Sequence, residues 1–328
     1  MDKVVSIIIP MYNVGAYIEA CLQSLYAQTY PHLEVILVND CSVDDTKYRI
    51  QQFLNSHSSQ SIDVKIIDHT ENKGVAAARN TGLSYATGEY LYYVDADDRI
   101  ECNTIETLLR TAIDTKADIV GCEWFLSYHK NERRMVQPTV NTSEEAFHHF
   151  VSGTLRWNLW LFLVKRELYT KHQIAFIEGM NMGEDMMVMG KLILSANKVV
   201  VVHKPLYHYV QTNSASLTKE SSERHRYQVT SNMRSLEEFA CTQGNKSVNE
   251  QIQYLKLSIK LPLLMSDSKE NYITWLEWFP EANAYITKNK TQAFRTRLVQ
   301  IWAVKRYFFL LKLYYRCVFK FIYGVLYK

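Results

Sequence analysis

The chain has 328 residues, 47% hydrophobic and 22% charged, an ordinary globular composition with apolar material for one large domain or two smaller ones. Six scattered cysteines (Cys21, Cys41, Cys102, Cys122, Cys241, Cys317) form no Cys-x-x-Cys pair, which argues against a structural zinc site or a disulfide framework and for a reducing compartment. The net charge of +3 is modest but unevenly spread, and no stretch reaches the roughly 18 apolar residues of a membrane span.

Val4 to Ile9 predicts a buried strand, too short and too soon closed by Pro10 to be a signal peptide. Val14, Ile18, Cys21, Leu22 and Leu25 recur at helical spacing, and Tyr30-Pro31 stops that helix. Leu33 to Val38 is a second strand, followed by Asn39-Asp40 and a loop in which Ser42 suits an N-cap. Ile62 to Ile67 is a third strand. Asn72-Lys73-Gly74 turns into an alanine-rich helix, Val75 to Tyr85, carrying Arg79 and Asn80. The next strand, Tyr90 to Val94, ends in three carboxylates, Asp95, Asp97 and Asp98.

Strand, helix, strand, helix, strand, helix, strand is a doubly wound α/β pattern with a mostly parallel sheet. Parallel strands would bring Tyr12-Asn13, Asn39-Asp40 and Asp95 to Asp98 to one rim, where such sheets bind ligands. Packed carboxylates there suit a hard divalent cation shared with phosphate oxygens. An Asp-rich turn capping the helix near Glu101 is the structural alternative. Tyr12 offers a ring for a base, Asp40 an acceptor for an imide N–H, and Arg79 a partner for base or phosphate; each also suits a surface, turn or solvated position. The missing Gly-x-Gly-x-x-Gly excludes a dinucleotide cofactor, and the missing Walker loop excludes a P-loop NTPase.

Further on, Asn103 to Asp114 predicts a helix and Asp118 to Phe125 a strand, with Met135 to Gln137 pairing beside it. Thr142 to Glu145 is a helix start. Trp157 and Trp160 suit either a core or a sugar-stacking face. Gly179 to Asp185 delivers Glu184 and Asp185 at the start of an apolar helix, where acids either complement the helix dipole or act as a base. Val199 to Val202 and Leu206 to Val210 are strands, Asn213 to Thr218 a polar loop, and Ser222 to Lys290 mostly helical. From Ala282 to Lys328 there is no Asp or Glu, and Lys305, Lys312, Arg316 and Lys320 fall on one face of a basic, aromatic helix suited to an anionic membrane. A helix packed on its own domain or a nucleic-acid patch are the alternatives, and the interleaved aliphatics favour the membrane. The expected domains are 1–220, 221–293 and 294–328.

The chain resembles the GT-A-fold family 2 glycosyltransferases of bacterial surface-polysaccharide assembly. The matching stretches are Val5 to Asn13, Val38-Asn39-Asp40, Asn72 to Gly74 through Ala78-Arg79-Asn80, Asp95-Ala96-Asp97-Asp98 and Gly183-Glu184-Asp185, in the family's order. The resemblance implies that Pro10, Tyr12, Asp40 and Arg79 hold the uridine of a UDP-sugar, with Asn13, Asn72, Ala96 and Ser216 completing the donor site. Asp95 would reach the ribose or diphosphate, and Asp97 would ligate Mn²⁺ or Mg²⁺. Asp185 would be the catalytic base of an inverting transfer, with Glu184 as the fallback. A lipid-linked or polysaccharide acceptor and a peripheral place on the cytoplasmic membrane face follow as expectations; no nucleic acid does. A catalytically silent membrane- or glycan-binding relative and a sugar-nucleotide pyrophosphorylase are the rivals. The second lacks its glycine-rich basic signature, and intact Asp97 and Asp185 argue against the first. Two positions depart from the family. Cys41 stands where glycine is usual, which leaves the shape of that loop open, and the loop 211–218 lacks an arginine for the diphosphate, which His208 or Asn213 would have to replace.

Overall fold

The computed structural model describes residues 3–57, 62–128, 130–211 and 223–318. Two units are separable, residues 1–147 with 156–236, and residues 148–155 with 237–328. The expected boundary at 220 lies outside the described residues, and the one at 293 falls within the second unit.

The first unit is built on one mixed sheet. Its parallel half has the order β3 (Asp63–Asp68), β2 (Leu33–Asn39), β1 (Val5–Met11), β4 (Tyr90–Tyr93). β2 and β4 are buried along their whole length, which is why they read as unbroken apolar runs. β3 lies at the edge and is polar and half-exposed, as a guarded edge strand should be. The crossovers are α1 (Ile18–Tyr26), α2 (Thr46–Ser56) and α3 (Val75–Tyr85). Helix α3 lies close on the sheet through Ala76, Ala77, Ala78 and Gly82; a Cβ on Gly82 would stand 2.3 Å from Ile8 Cγ2.

Pro10 does not end β1, as the sequence suggests; the strand continues to Met11. The reason is the side on which the missing N–H falls. Met11 accepts the Asp40 N–H at the β2 side, so its neighbour Pro10 faces β4, whose pairing stopped at Ile8 opposite Tyr93. No ladder bond is lost. Ser42 likewise does not cap α2; Asp45 holds that position, and the Ser42 hydroxyl accepts the Asn13 N–H instead.

Beyond β4 the sheet turns mixed, in the order β4, β8 (Phe162–Lys165), β6 (Ile119–Ser127), β9 (Val199–Val210), β5 (Arg99–Ile100), with β7 (Glu132–Met135) beside β6. The two strands read at 199–210 are one, kinked by register shifts around Glu123 of its partner. Helices α4 (Thr104–Thr115), α5 (Ser143–Ser152), α6 (Arg166–Lys171) and α7 (Glu184–Ser195) follow the chain order. At α5 the Thr142 hydroxyl accepts the Glu145 N–H, and Glu145 reaches back to the Asn141 N–H.

After α8 (Glu223–Thr242), the second unit contains α9 (Lys246–Lys260), α10 (Lys269–Glu277), α11 (Phe294–Val304) and α12 (Phe308–Tyr314). Two lysines are buried in it. Lys256 pairs with Glu237 and Glu281, and Lys260 donates to the Trp278 and Phe279 carbonyls and to Asn283. Burial is the main cause that lowers Lys260 to about 7. The single basic tail helix is corrected here: α11 and α12 are separate helices broken at residues 305–307, so Lys305 and Lys312 do not share one helical face. Lys320 and Lys328 lie outside the described residues.

Candidate active site

The parallel strands deliver the three polar clusters to one rim. The Asp40 N–H reaches Met11 O at 2.8 Å and the Val94 N–H reaches Ile8 O at 3.1 Å, which fixes the three strand ends side by side. Tyr12 is 48% exposed there, free to present a ring face. Asp40 is buried. Its Oδ1 accepts His69 Nδ1 at 2.7 Å and the Lys73 N–H at 2.8 Å, and its Oδ2 accepts the Gly74 N–H at 2.7 Å. A carboxylate has about four acceptor positions, so one on Oδ2 remains for a ligand. The turn 72–74 is therefore shaped by Asp40, and Asn72 stands exposed on it. Asn13 is tied into the loop after β2, accepting the Val43 N–H at 2.9 Å.

Cys41 adopts φ +62°, the left-handed backbone that glycine supplies at low cost. The departure from the family pattern thus changes the residue at a glycine-favoring conformation. Cys41→Gly should relieve a strain of about 1 kcal/mol, and thermal unfolding should show a small rise in Tm.

The centre of the site is Arg79, buried on α3. Its Nη1 donates to Glu184 Oε1 at 2.8 Å and to Asp185 Oδ1 at 2.6 Å, and its Nη2 lies 3.4 Å from Asp95 Oδ1. The sequence places Arg79 with the uridine; its guanidinium faces three carboxylates. Asp185 Oδ2 accepts the Leu159 N–H at 3.2 Å, and the Asp185 side chain is 16% exposed against 11% for Glu184. Gly183, at φ +76°, starts α7 and sets both acids in its first turn. Burial, and then the charge of Asp185, pushes Glu184 up from the usual carboxylate range, with Arg79 opposing. Burial likewise raises Asp95, opposed by Arg79 and reinforced by Asp97 and Asp185.

Of the acidic turn, Asp97 is half-buried and Asp98 is buried. Asp98 is occupied by the protein: it accepts the Tyr207 hydroxyl at 2.7 Å and the Val210 N–H at 2.7 Å. The same Tyr207 hydroxyl accepts the Asp95 N–H at 3.1 Å. Trp160 stacks on Tyr207 at 4.2 Å between centroids and meets Trp124 edge-on at 6.0 Å. Buried on both sides, Trp160 is core and has no face for a sugar; Trp157 is half-buried. Tyr207→Phe leaves a buried carboxylate and a backbone N–H without their partner, at about 1–3 kcal/mol. It should lower Tm in thermal unfolding.

Asp95 and Asp97 offer hard carboxylate oxygens on an electronegative rim, and no group of three or more His, Cys, Asp or Glu able to hold an ion occurs among the described residues. Carboxylate oxygens of this kind suit Mg²⁺ or Mn²⁺, hard ions that commonly take one or two carboxylates together with phosphate oxygens.

Sequence reasoning missed four contributors. Asn181 Oδ1 accepts the Ala76 N–H at 3.1 Å and so joins the loop before α7 to the start of α3. Gly74, φ +87°, makes room for it, since a Cβ there would stand 2.2 Å from Asn181 Nδ2. His69, Tyr207 and the Leu159 N–H are the others; they act through distant hydrogen bonds that leave no local pattern. His208 does not stand in for the missing arginine: it lies between Glu101 at 2.7 Å and Glu132 at 2.9 Å. Ser216 and Asn213 lie outside the described residues.

Residues 6–189 match the family description Glycosyl transferase family 2, more than half of the chain. The chain belongs to that family. It is 32% identical to the glycosyltransferase EpsJ of Bacillus subtilis (strain 168) over 67% of this chain and 64% of EpsJ. It is 27% identical to the glycosyltransferase YibD of Escherichia coli (strain K12) over 86% of this chain and 76% of YibD. The alignment thus spans just under two thirds of EpsJ. Among solved structures, S. aureus TarS residues 1–349 in complex with UDP-GlcNAc superposes with a TM-score of 0.73 at 18% identity, over 96% of this chain and 92% of that one. The shared fold is the GT-A fold expected from the resemblance.

Proposed function

We propose that this enzyme is an inverting, metal-dependent transferase that moves a sugar from a UDP-sugar to a hydroxyl of a lipid-linked glycan in bacterial surface-polysaccharide assembly. One observation carries the reading. Arg79 gathers Asp95 of the acidic turn and Asp185 of α7 around a single guanidinium, one on each terminal nitrogen, which supports a donor-binding carboxylate and a base sharing one charge. The UDP-GlcNAc of the TarS complex and the surface-glycan roles named for relatives such as the minor teichoic acid protein GgaB of Bacillus subtilis support the donor and acceptor classes.

Tyr12 and the remaining acceptor of Asp40 would take the uracil, by stacking and by accepting its imide N–H. Asp97, with Asp95, would hold Mn²⁺ or Mg²⁺, which when bound offsets the charge growing on the departing diphosphate. Asp185 takes the proton of the acceptor hydroxyl as its oxygen bonds to C1 of the sugar. The C1–O bond to UDP breaks on the opposite face, which inverts the anomeric centre. Arg79 and the Leu159 N–H fix the Asp185 carboxylate for that task. Glu184 is less suited: it is more buried and held toward its neutral form.

Calorimetric titration of UDP with and without Mn²⁺, against CDP and GDP, tests this reading. Binding that needs the metal and prefers UDP is the expected result. No binding, or binding indifferent to base and metal, would overturn the donor assignment.

The basic, aromatic residues after 294 support peripheral attachment to an anionic membrane on its cytoplasmic side. No helix among the described residues is long and apolar enough to cross one.

A further inference from the structure

We propose that residues 304–309 form a rigid knuckle that docks on the surface of an anionic lipid bilayer; this rests on the peripheral-membrane reading and names its contact. Helix α11 ends in a tight backbone stop. The Arg306 N–H bonds to Ala303 O at 2.9 Å and the Tyr307 N–H bonds to Trp302 O at 2.8 Å. This paired pattern normally places glycine in the left-handed position. Here Arg306 occupies it, at φ +58°. A side chain at that angle carries strain.

What the bend does is expose one side. Val304 is 45% exposed, Tyr307 50% and Phe309 76%, with Lys305 and Arg306 exposed between them. Leu313, 48% exposed, and Arg316 extend the same composition along α12 and beyond. The other side is anchored. Ala303 and Leu311 are fully buried, Trp302 meets Tyr314 edge-on at 6.4 Å, and Phe308 lies 5.5 Å from Tyr272. At the bend, two cations and three large apolar side chains are exposed within six residues.

The occupant follows from complementarity. No Asp or Glu lies between residues 282 and 328, so the segment itself contributes only cations to this surface. The apolar side chains need a surface they can enter, and aromatic rings favour the headgroup level of a bilayer. A soluble anion or a nucleic acid would satisfy the cations and leave Val304 and Phe309 in water. An anionic bilayer satisfies both.

The test is co-sedimentation of the full chain with vesicles of phosphatidylcholine alone and with phosphatidylglycerol added. Arg306→Gly separates bend from charge, because glycine keeps the left-handed stop, and Tm should not fall. The parent chain should bind the phosphatidylglycerol vesicles and not the neutral ones, and be released by high salt. Arg306→Gly should weaken binding about fivefold, and Phe309→Ser by about tenfold or more, both with intact Tm. Parent-like binding by both variants would overturn the knuckle while leaving membrane attachment standing. Equal binding to neutral vesicles would overturn the charge recognition. No binding by the parent chain would overturn the membrane reading itself.

Discussion

Asp185→Asn should cut turnover by about 10²–10⁴ while leaving the affinity for UDP nearly that of the parent enzyme. The substitution removes a negative charge and the ability to take a proton, and little else. One oxygen remains to accept from Arg79 Nη1, now 2.6 Å away. The new amide hydrogens face the Leu159 N–H, which costs a hydrogen bond, about 1 kcal/mol. UDP does not depend on either contact, because its proposed partners are Tyr12, Asp40 and the acidic turn. Turnover with a UDP-sugar, single-turnover rates and UDP calorimetry measure the split. A tenfold loss of UDP affinity at normal turnover would refute the base role. Glu184→Gln is the comparison. Glu184 is already pushed toward its neutral form by burial and by Asp185, so an amide imitates it, and the loss should be the smaller of the two. The reverse ranking would move the base to Glu184.

The parallel half of the sheet was legible because its signals are strong and local. β1, β2 and β4 are buried on both faces and read as apolar runs, and α3 runs from Val75 to Tyr85, as its alanines and Thr87-Gly88 indicate. In the mixed half β6 and β9 were legible as well, but β5 and β8 were not. β5 has two residues and β8 four, too few for any period to show, and both exist through pairing with β9, β4 and β6. The kink in β9 split one strand into two apparent ones. The tail failed for a related reason: side-chain periodicity runs on through Arg306, and only the backbone angle there reveals the stop. At the site, motif residues were visible by type, but their duties were not. Asp40 holds a turn through two backbone N–H groups, and Asp98 holds Tyr207 and Val210. Such work depends on partners 33 to 112 positions away, which no spacing encodes.

Arg79→Met should cost about 3–5 kcal/mol, because it strips the cation from three carboxylates that burial holds close together. At about 2–4 °C per kcal/mol, Tm should fall by roughly 6–20 °C. The loss should also depend on pH, in a direction the site dictates. Burial already raises Asp95 and Glu184 while Arg79 pulls them down. Without Arg79 both rise further. A carboxyl whose folded value is raised binds more protons folded than unfolded, so stability falls as pH climbs from its unfolded value to its folded one. The gap between parent and variant should be narrow near pH ~3, where these groups are mostly protonated in both states, and widen toward pH ~8. Thermal unfolding of both chains across that range measures it. A gap that stays constant would assign the loss to packing, since the guanidinium also lies 5.7 Å over the Phe176 ring, and would remove Arg79 as the charge balance of the site. Arg79→Lys sharpens the point. Lysine keeps the charge but cannot reach Glu184, Asp185 and Asp95 with one planar group. It should flatten the pH dependence while turnover stays low, because orientation of Asp185 needs the fork and stability needs only the charge.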